Sequence, residues 1–369
     1  MAKREDSFRE AAKRYEKWLS GYCRLDRKGL ALKEEKMGES AFAFLRGTFF
    51  RWPHHLLAIE PSILRAPRVL CVGDIHLENY GTWCDGEGRL VWGINDFDDA
   101  AELPFTSDLV RLAASVLLEG SQPRGRQKSS RLSGKVAVAA LAAGYKQGLS
   151  GPAEPFVLED RHPVLRNLAV ATREDAGREW EKIRRGEAVR ASSLDASLHD
   201  LLLTCLPPGT ARVHIHRRRA GLGSLGRPRY VAVGTWHGGL VVREAKAAAP
   251  SALRMPKTGI ADPLADYRRI EALGFRARDP QLRLADRWVV RRLSPEARKI
   301  EIAEIEAVTD RQALLEAMGR ELANMHRGTA GRAAQLRKAL AKLPKNWLQR
   351  AATAAAERVE EDYDAFRGS

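Results

Sequence analysis

The stretch from Val69 to Ala114 constrains this chain more than any other, because it sets acidic and amide side chains at the ends of short apolar runs. Val69–Leu70–Cys71–Val72 reads as a buried strand that delivers Gly73 and Asp74 to a turn. Asn79 follows shortly after. Asp85–Gly86 and Gly88, between Cys84 and Arg89, suit a hairpin loop. Leu90 to Ile94 then returns as a strand and ends at Asn95–Asp96–Phe97–Asp98–Asp99. Two strand ends joined by a hairpin bring Asp74, Asn79 and Asp96 to one edge. Oxygen ligands without histidine or cysteine partners suit a hard ion such as Mg²⁺, which binds through one or two carboxylates plus substrate phosphates. A third carboxylate, left off the metal, takes a proton from an attacking hydroxyl, as phosphoryl transfer requires. Asp98 could assist a second ion, although Asp-rich turns are commonly solvated or cap a following helix.

GDIHLEN followed by INDFDDA resembles the paired motifs of aminoglycoside phosphotransferases and choline kinases, relatives of the protein kinases. GDIHLENYG, NDFDDA, PFTSDLVRLAAS and the earlier SAFAFLRG are more closely similar to the bacterial DUF2252 family, a kinase-like group. That resemblance implies Asp74 as catalytic base, Asn79 and Asp96 as metal ligands, and Asp108 as a structural acid pinning the catalytic loop. His76 would brace that loop by hydrogen bonds in preference to holding a metal. The family's KM..SPFAFLRG pattern matches Lys36 to Gly47, with Ala41 in place of the proline. Lys36 and Arg46 would then touch substrate or phosphate, or Arg46 would pair with an acid of the central stretch.

A chain of 369 residues can bury a sizeable core and form two lobes. No run of eighteen apolar residues occurs, so no membrane span is expected. The charged N-terminus is no signal peptide, and Cys23, Cys71, Cys84 and Cys205 lack CxxC spacing. Reduced thiols in a cytoplasmic protein are the expectation. The net charge of +15 attracts polyanions. A nucleotide cleft accounts for part of it, a solvated basic surface for more, and nucleic-acid binding is possible but not favoured.

Residues 5–35 show helical spacing through Phe8, Ala12, Tyr15 and Leu19. Helices are also expected over Asp108–Leu118, Lys135–Gln147, Asp262–Leu273 and Ile300–His326, with a helical tail over 331–368. Gly120 to Arg131 reads as a polar linker. From Ala211 the chain turns to strands, with Val231–Val233 and Leu240–Val242 flanking His237–Gly238–Gly239. Gly221–Leu222–Gly223–Ser224–Leu225–Gly226 is a glycine-rich turn whose backbone N–H groups can approach phosphate oxygens. It is neither a Walker A loop nor a Rossmann fingerprint, since no Gly-Lys-Ser/Thr and no helix follow.

Glycine turn, strand, turn, strand and then lysine resembles the nucleotide-binding lobe of a kinase. Lys246 would reach the α- and β-phosphates, with Glu271 as its partner. The family's KEA pattern falls on Arg243–Glu244–Ala245, so Arg243 competes for that role, and an arginine fork is no neutral replacement for a lysine. The acidic loops precede the glycine turn, the reverse of the usual kinase order. The expected fold is therefore α+β: a kinase-like two-lobe protein, circularly permuted. The expected segments are N-terminal helices over 1–66, a helical catalytic lobe over 67–205, a β-rich nucleotide lobe over 206–299, and C-terminal helices over 300–369.

The expected function is ATP- and Mg²⁺-dependent phosphotransfer to a hydroxyl of an unread acceptor. Two alternatives stand beside it. One is a metallophosphoesterase using Asp74 and His76, with Val213–His214–Ile215–His216 as its distal histidine pair, though no GNHE-like element separates them. The other is a non-catalytic ATP-binding module.

Overall fold

Short apolar strands carry the first part of the fold. In the computed structural model β1 (Arg68–Cys71) pairs antiparallel with β4 (Ala101–Pro104), setting Cys71 opposite Ala101. The hairpin is a separate ladder: β2 (Tyr80–Cys84) pairs with β3 (Leu90–Ile94), with Tyr80 opposite Ile94, and β5 (Phe156–Val157) adds a third strand. β1 thus lies outside the hairpin, whose first arm is β2. Asp85 explains the tight turn, since its Oδ1 accepts the N–H groups of Glu87 and Arg89, 3.0 Å each. The structure describes residues 7–121, 132–169, 173–184, 186–294, 299–300, 302, 305–328 and 332–368. The linker expected over 120–131 lies mostly outside them.

Helices pack around these ladders. The N-terminal helical region is two helices, α1 (Phe8–Leu19) and α2 (Arg27–Met37), followed by α3 (Ala41–Gly47) and the short α4 (Trp52–His55) and α5 (Pro61–Leu64). Ser7 caps α1 through a capping box with Glu10, which sets its start. Directly after β4 comes α6 (Phe105–Ser121), buried along most of its length, then α7 (Gly134–Ser150). Its partner is α12 (Val308–His326), and the two backbones nearly touch: a Cβ on Gly144 would lie 1.9 Å from the Glu316 carbonyl. α8 (Pro163–Ala169), α13 (Arg332–Leu340) and α14 (Trp347–Arg367) complete this part. Its core includes Phe44, Leu45, Trp52, Phe105, Leu112 and Ala352.

A six-stranded antiparallel sheet forms the remainder. Its order is β10-β11-β9-β8-β7-β6, with β6 (Glu187–Ala188), β7 (Ala211–Arg217), β8 (Arg229–Trp236), β9 (Gly239–Ala247), β10 (Arg283–Ala285) and β11 (Trp288–Arg292). Strand alternation gives it two faces. Ile215, Ala232, Ala245 and Val290 pack on Leu198 and Leu202 of α10 (Ala196–Thr204). Val231, Val233 and Val242 pack on Ile183 of α9 (Arg173–Arg184). α11 (Ala265–Leu273) lies between β9 and β10 in the chain. The fold is α+β, and no described helix is long and apolar enough to cross a membrane.

Candidate functional site

The site begins where β1 ends. Gly73 has φ +82°, and a Cβ there would fall 2.1 Å from the Asp99 carbonyl oxygen, so only glycine fits. Wholly buried Asp108, on α6, accepts the N–H groups of Val72 (2.7 Å) and Gly73 (3.1 Å). His326 Nε2 lies 3.1 Å from Asp108, and His326 Nδ1 lies 2.9 Å from the Tyr145 hydroxyl. This network fixes the turn that presents Asp74. Asp74 Oδ1 accepts from Nη2 of Arg111, a wholly buried guanidinium that also donates to the Leu45 carbonyl (2.9 Å). Arg111 is held between the rings of Phe49 and Trp52, 4.8 and 5.0 Å from their centroids.

Asn79 joins this turn to the end of β3. Its Nδ2 donates to the carbonyls of Asp74 and Asp96, and its Oδ1 accepts the Asp96 N–H, 3.1 Å each. The hairpin register delivers this pairing, since Asn79 precedes β2 and Asp96 follows β3. His76 Nδ1 accepts the Glu78 N–H at 3.1 Å. Burial, with Arg46 beside it, holds the His76 imidazole well below its ordinary pKa, so it stays neutral.

The sheet supplies the opposite wall. Lys246 Nζ lies 2.9 Å from Asp96 Oδ2 and 2.8 Å from Asp98 Oδ2, and Arg227 lies 2.7 Å from Asp98. The turn 221–226 covers Asp74: a Cβ on Gly223 would come 3.1 Å from the Arg46 carbonyl and 3.2 Å from Asp74 Oδ2. Ser224 Oγ accepts from Arg229 (2.7 Å), and Arg229 and Arg218 both clasp Glu244 at 2.6 Å. Asp26 N–H donates to the Gly226 carbonyl at 2.8 Å, so the turn is fastened to the start of α2. These walls enclose a groove of about 240 Å³ lined by Asp74, Asn79, Asp96, Asp98 and the glycine turn. A larger, more open depression of about 640 Å³ lies beside the Asp85–Arg89 turn, but the buried ionisable groups converge in the smaller groove.

The electrostatics set three of these carboxylates apart. Burial raises the Asp74 pKa, and Arg111 opposes the shift without cancelling it. Burial alone would raise Asp96 too, but Lys246 and Arg291 overcome it and hold Asp96 far below the usual range. Asp99 is pushed up to about 7 by burial and by the neighbouring Asp74.

Residues 24–201 and 210–369 match the family model described as "Uncharacterized protein conserved in bacteria (DUF2252)". The chain belongs to the DUF2252 family. No curated protein and no solved structure matches it. The two segments matching DUF2252 contain both walls of the groove.

Not every residue singled out in this DUF2252 sequence reaches the groove. Arg46 lines it and pairs with Glu78 at 2.6 Å, the acid-pairing option. Lys36 is exposed on α2 and lies outside the groove lining; Lys33, one turn earlier, is the buried lysine, and its Nζ donates to the Gly223 carbonyl at 3.3 Å. Arg243 and Lys246 differ in parity along β9, so they leave opposite faces of the sheet. Lys246 meets Asp96; Arg243 turns away and donates to Gln281 at 2.6 Å. Glu271 pairs with Arg276 at 3.0 Å and not with Lys246. His214 and His216 stay on β7. Among the described residues the one set of three His, Cys, Asp or Glu ligand atoms lying within 4.8 Å of one another is Cys71, Asp108 and His326, and it excludes Asp74, His76 and the His214–His216 pair.

Arg111, Arg227 and Lys33 were not read from the sequence of this DUF2252 chain, and Asp99 was read there only as part of an acidic turn. Arg111 had a usable signal: it interrupts the apolar run LVRLAAS, and a charge on a buried helix face requires a buried partner.

Proposed function

We propose that the groove transfers the γ-phosphoryl group of ATP to a hydroxyl, on a kinase-like two-lobe scaffold circularly permuted relative to ordinary kinases. The observation that carries this reading is Lys246 on β9 meeting Asp96 across a groove roofed by the glycine turn. The chain order β7, glycine turn, β8, β9 with its lysine, then α11, supports a nucleotide lobe, because kinases carry a glycine loop before a strand-borne lysine and a helix after it.

The donor set fits Mg²⁺: Asp96 and Asp98 present carboxylates already bridged by one cation, the Lys246 ammonium, and Asn79 Oδ1 keeps a second lone pair. Asn79 and Asp96 would hold the ion, with Asp98 assisting, and it would neutralise charge on the phosphates. On this reading Lys246 leaves Asp96 for the phosphates once nucleotide enters. The acceptor oxygen bonds to the γ-phosphorus as the bond from phosphorus to the ADP oxygen breaks, and the acceptor proton passes to Asp74 Oδ2. Arg111 holds the other Asp74 oxygen, which aims the free one. The raised pKa of Asp74 brings the base nearer working pH, which favours proton transfer. Neutral His76 braces the turn and takes no proton.

The test uses the full chain with Mg²⁺. A non-hydrolysable ATP analogue is titrated by calorimetry, and phosphate release or transfer from ATP is followed. Asp96→Ala weakens analogue binding at least tenfold. Asp74→Asn binds the analogue as before and loses turnover. Turnover retained by Asp74→Asn, analogue binding undiminished in Asp96→Ala, or cleavage of a generic phosphodiester without ATP, overturns the reading. Analogue binding without turnover in the unaltered chain favours a non-catalytic nucleotide module.

A further inference from the structure

A second cavity lies behind the glycine turn. It has a volume of about 450 Å³ and is walled by α1, α2, the end of α14 and the side chain of Leu225. Phe8, Leu19, Met37, Phe50, Leu225 and Phe366 supply its apolar walls, and the exposed Arg9, Lys13, Glu16, Arg27 and Glu34 line its solvent side. Lys33 also lines it and is 92% buried, its relative exposure being 8%. The ammonium makes a hydrogen bond to the Gly223 carbonyl and lies 5.8 Å from the centroid of the Tyr15 ring. No carboxylate lies within ion-pair distance of it among the described residues. A buried ammonium without a direct ion pair is costly: burial together with nearby Arg227 pushes its pKa down to about 8, and Asp74, Glu16 and Asp99, acting from beyond contact, oppose the shift without cancelling it. It therefore stays mostly protonated at neutral pH, with no carboxylate in direct contact among the described residues.

We propose that this cavity binds a small amphiphile with a single anionic head, such as a medium-chain carboxylate, with the head on Lys33 and the chain among the aromatic and aliphatic walls. Both features are needed. A wholly apolar ligand leaves the ammonium unpaired, and a small hydrophilic anion leaves the apolar walls uncovered. The cavity is separate from the groove, because Leu225 faces it while Leu222 to Ser224 face the groove, so the glycine turn is the wall between them. The inference does not depend on ATP chemistry in the groove.

Calorimetry on the full chain tests it, with decanoate, decanol and acetate as probes. Decanoate binds, decanol binds at least tenfold more weakly, and acetate does not bind. Lys33→Met removes the charge and keeps the length of the stem; it weakens decanoate at least tenfold and leaves decanol unchanged. Ala12→Leu, which fills part of the cavity, weakens both chains. Melting curves of each variant confirm that it is folded, and Lys36→Met, an exposed neighbour, serves as a charge control that leaves all binding unchanged. Decanoate binding unaffected by Lys33→Met overturns the proposal. So does equal weakening by Lys36→Met, or retention on anionic phospholipid vesicles without binding of free decanoate.

Discussion

Lys246 and Asp96 stand 150 residues apart in the chain and 2.9 Å apart in space. The lysine is 5% exposed and the aspartate 41%, so the pair sits at the lip of the groove with its cationic end sunk into the sheet. This one contact ties the sheet to the β2–β3 hairpin. It also leaves Asp96 and Asp98 sharing one cation, which the proposed metal–nucleotide complex would replace.

Lys246→Met removes that cation and leaves Asp98 to Arg227 alone. The expected loss is about 1–3 kcal/mol in urea unfolding, below the figure for a fully buried pair because Asp96 is partly solvated. Mg²⁺ then raises the melting temperature of the variant by more than that of the unaltered chain, since it restores positive charge between the two carboxylates. Equal shifts in thermal melts would count against a cation site there.

Arg111→Met leaves the buried side of Asp74 without its counter-charge and is expected to destabilise the chain by about 3 kcal/mol. Removing a cation lifts the Asp74 pKa further, so the acid limb of any turnover profile moves to higher pH. Arg111→Lys, which keeps the charge but not the fork, falls between the two. A pH–rate profile of the three proteins distinguishes this role from plain packing, which would lower the rate at every pH alike.

Glu321→Gln tests a buried acid away from the groove. Burial pushes the Glu321 carboxyl up to about 7 from an ordinary 4.5. The folded chain therefore holds the proton more tightly than the unfolded one. That contribution is complete below pH 4.5 and is lost as pH rises through about 7. Relative to the unaltered chain, the glutamine variant gains up to about 3 kcal/mol between pH 5 and pH 8. Chemical denaturation at the two values measures the gain, and a constant difference would refute it.

Gly223→Ala places a methyl group 3.1 Å from the Arg46 carbonyl and 3.2 Å from Asp74 Oδ2, tighter than ordinary contact. The turn must move off Asp74, and because α2 fastens it at Gly226 it cannot shift freely. A stability loss of about 1–2 kcal/mol with a larger fractional loss of turnover is expected. Gly86→Ala, with nothing within 4 Å of its Cβ, is the control and leaves both unchanged.

Part of the fold is legible in the sequence alone. Apolar runs give β3 at its observed limits, β1 within one residue and the middle parts of β8 and β9, because a strand's period of two is written in adjacent residues. The pairing of Asn79 with Asp96 follows from a short hairpin whose loop residues fix the register. The break between α1 and α2 was harder, since Tyr22 and Leu25 continue the apolar spacing through the gap and nothing stronger than a glycine marks it.

By itself the sequence determined the local pieces: two acidic turns at strand ends, a glycine turn in an antiparallel meander, and helices of helical period. The tertiary structure alone decided which charges meet. Whether Arg243 or Lys246 faces Asp96 depends on the phase of β9 against two packed faces, and whether Lys33 or Lys36 turns inward depends on how α2 seats against Gly226. Arg111 on Asp74, and Asp108 beneath Gly73, join positions more than thirty residues apart. The reason is physical: periodicity is a property of neighbouring residues, whereas ion pairing in a low-dielectric interior depends on distances set only when separate elements pack together.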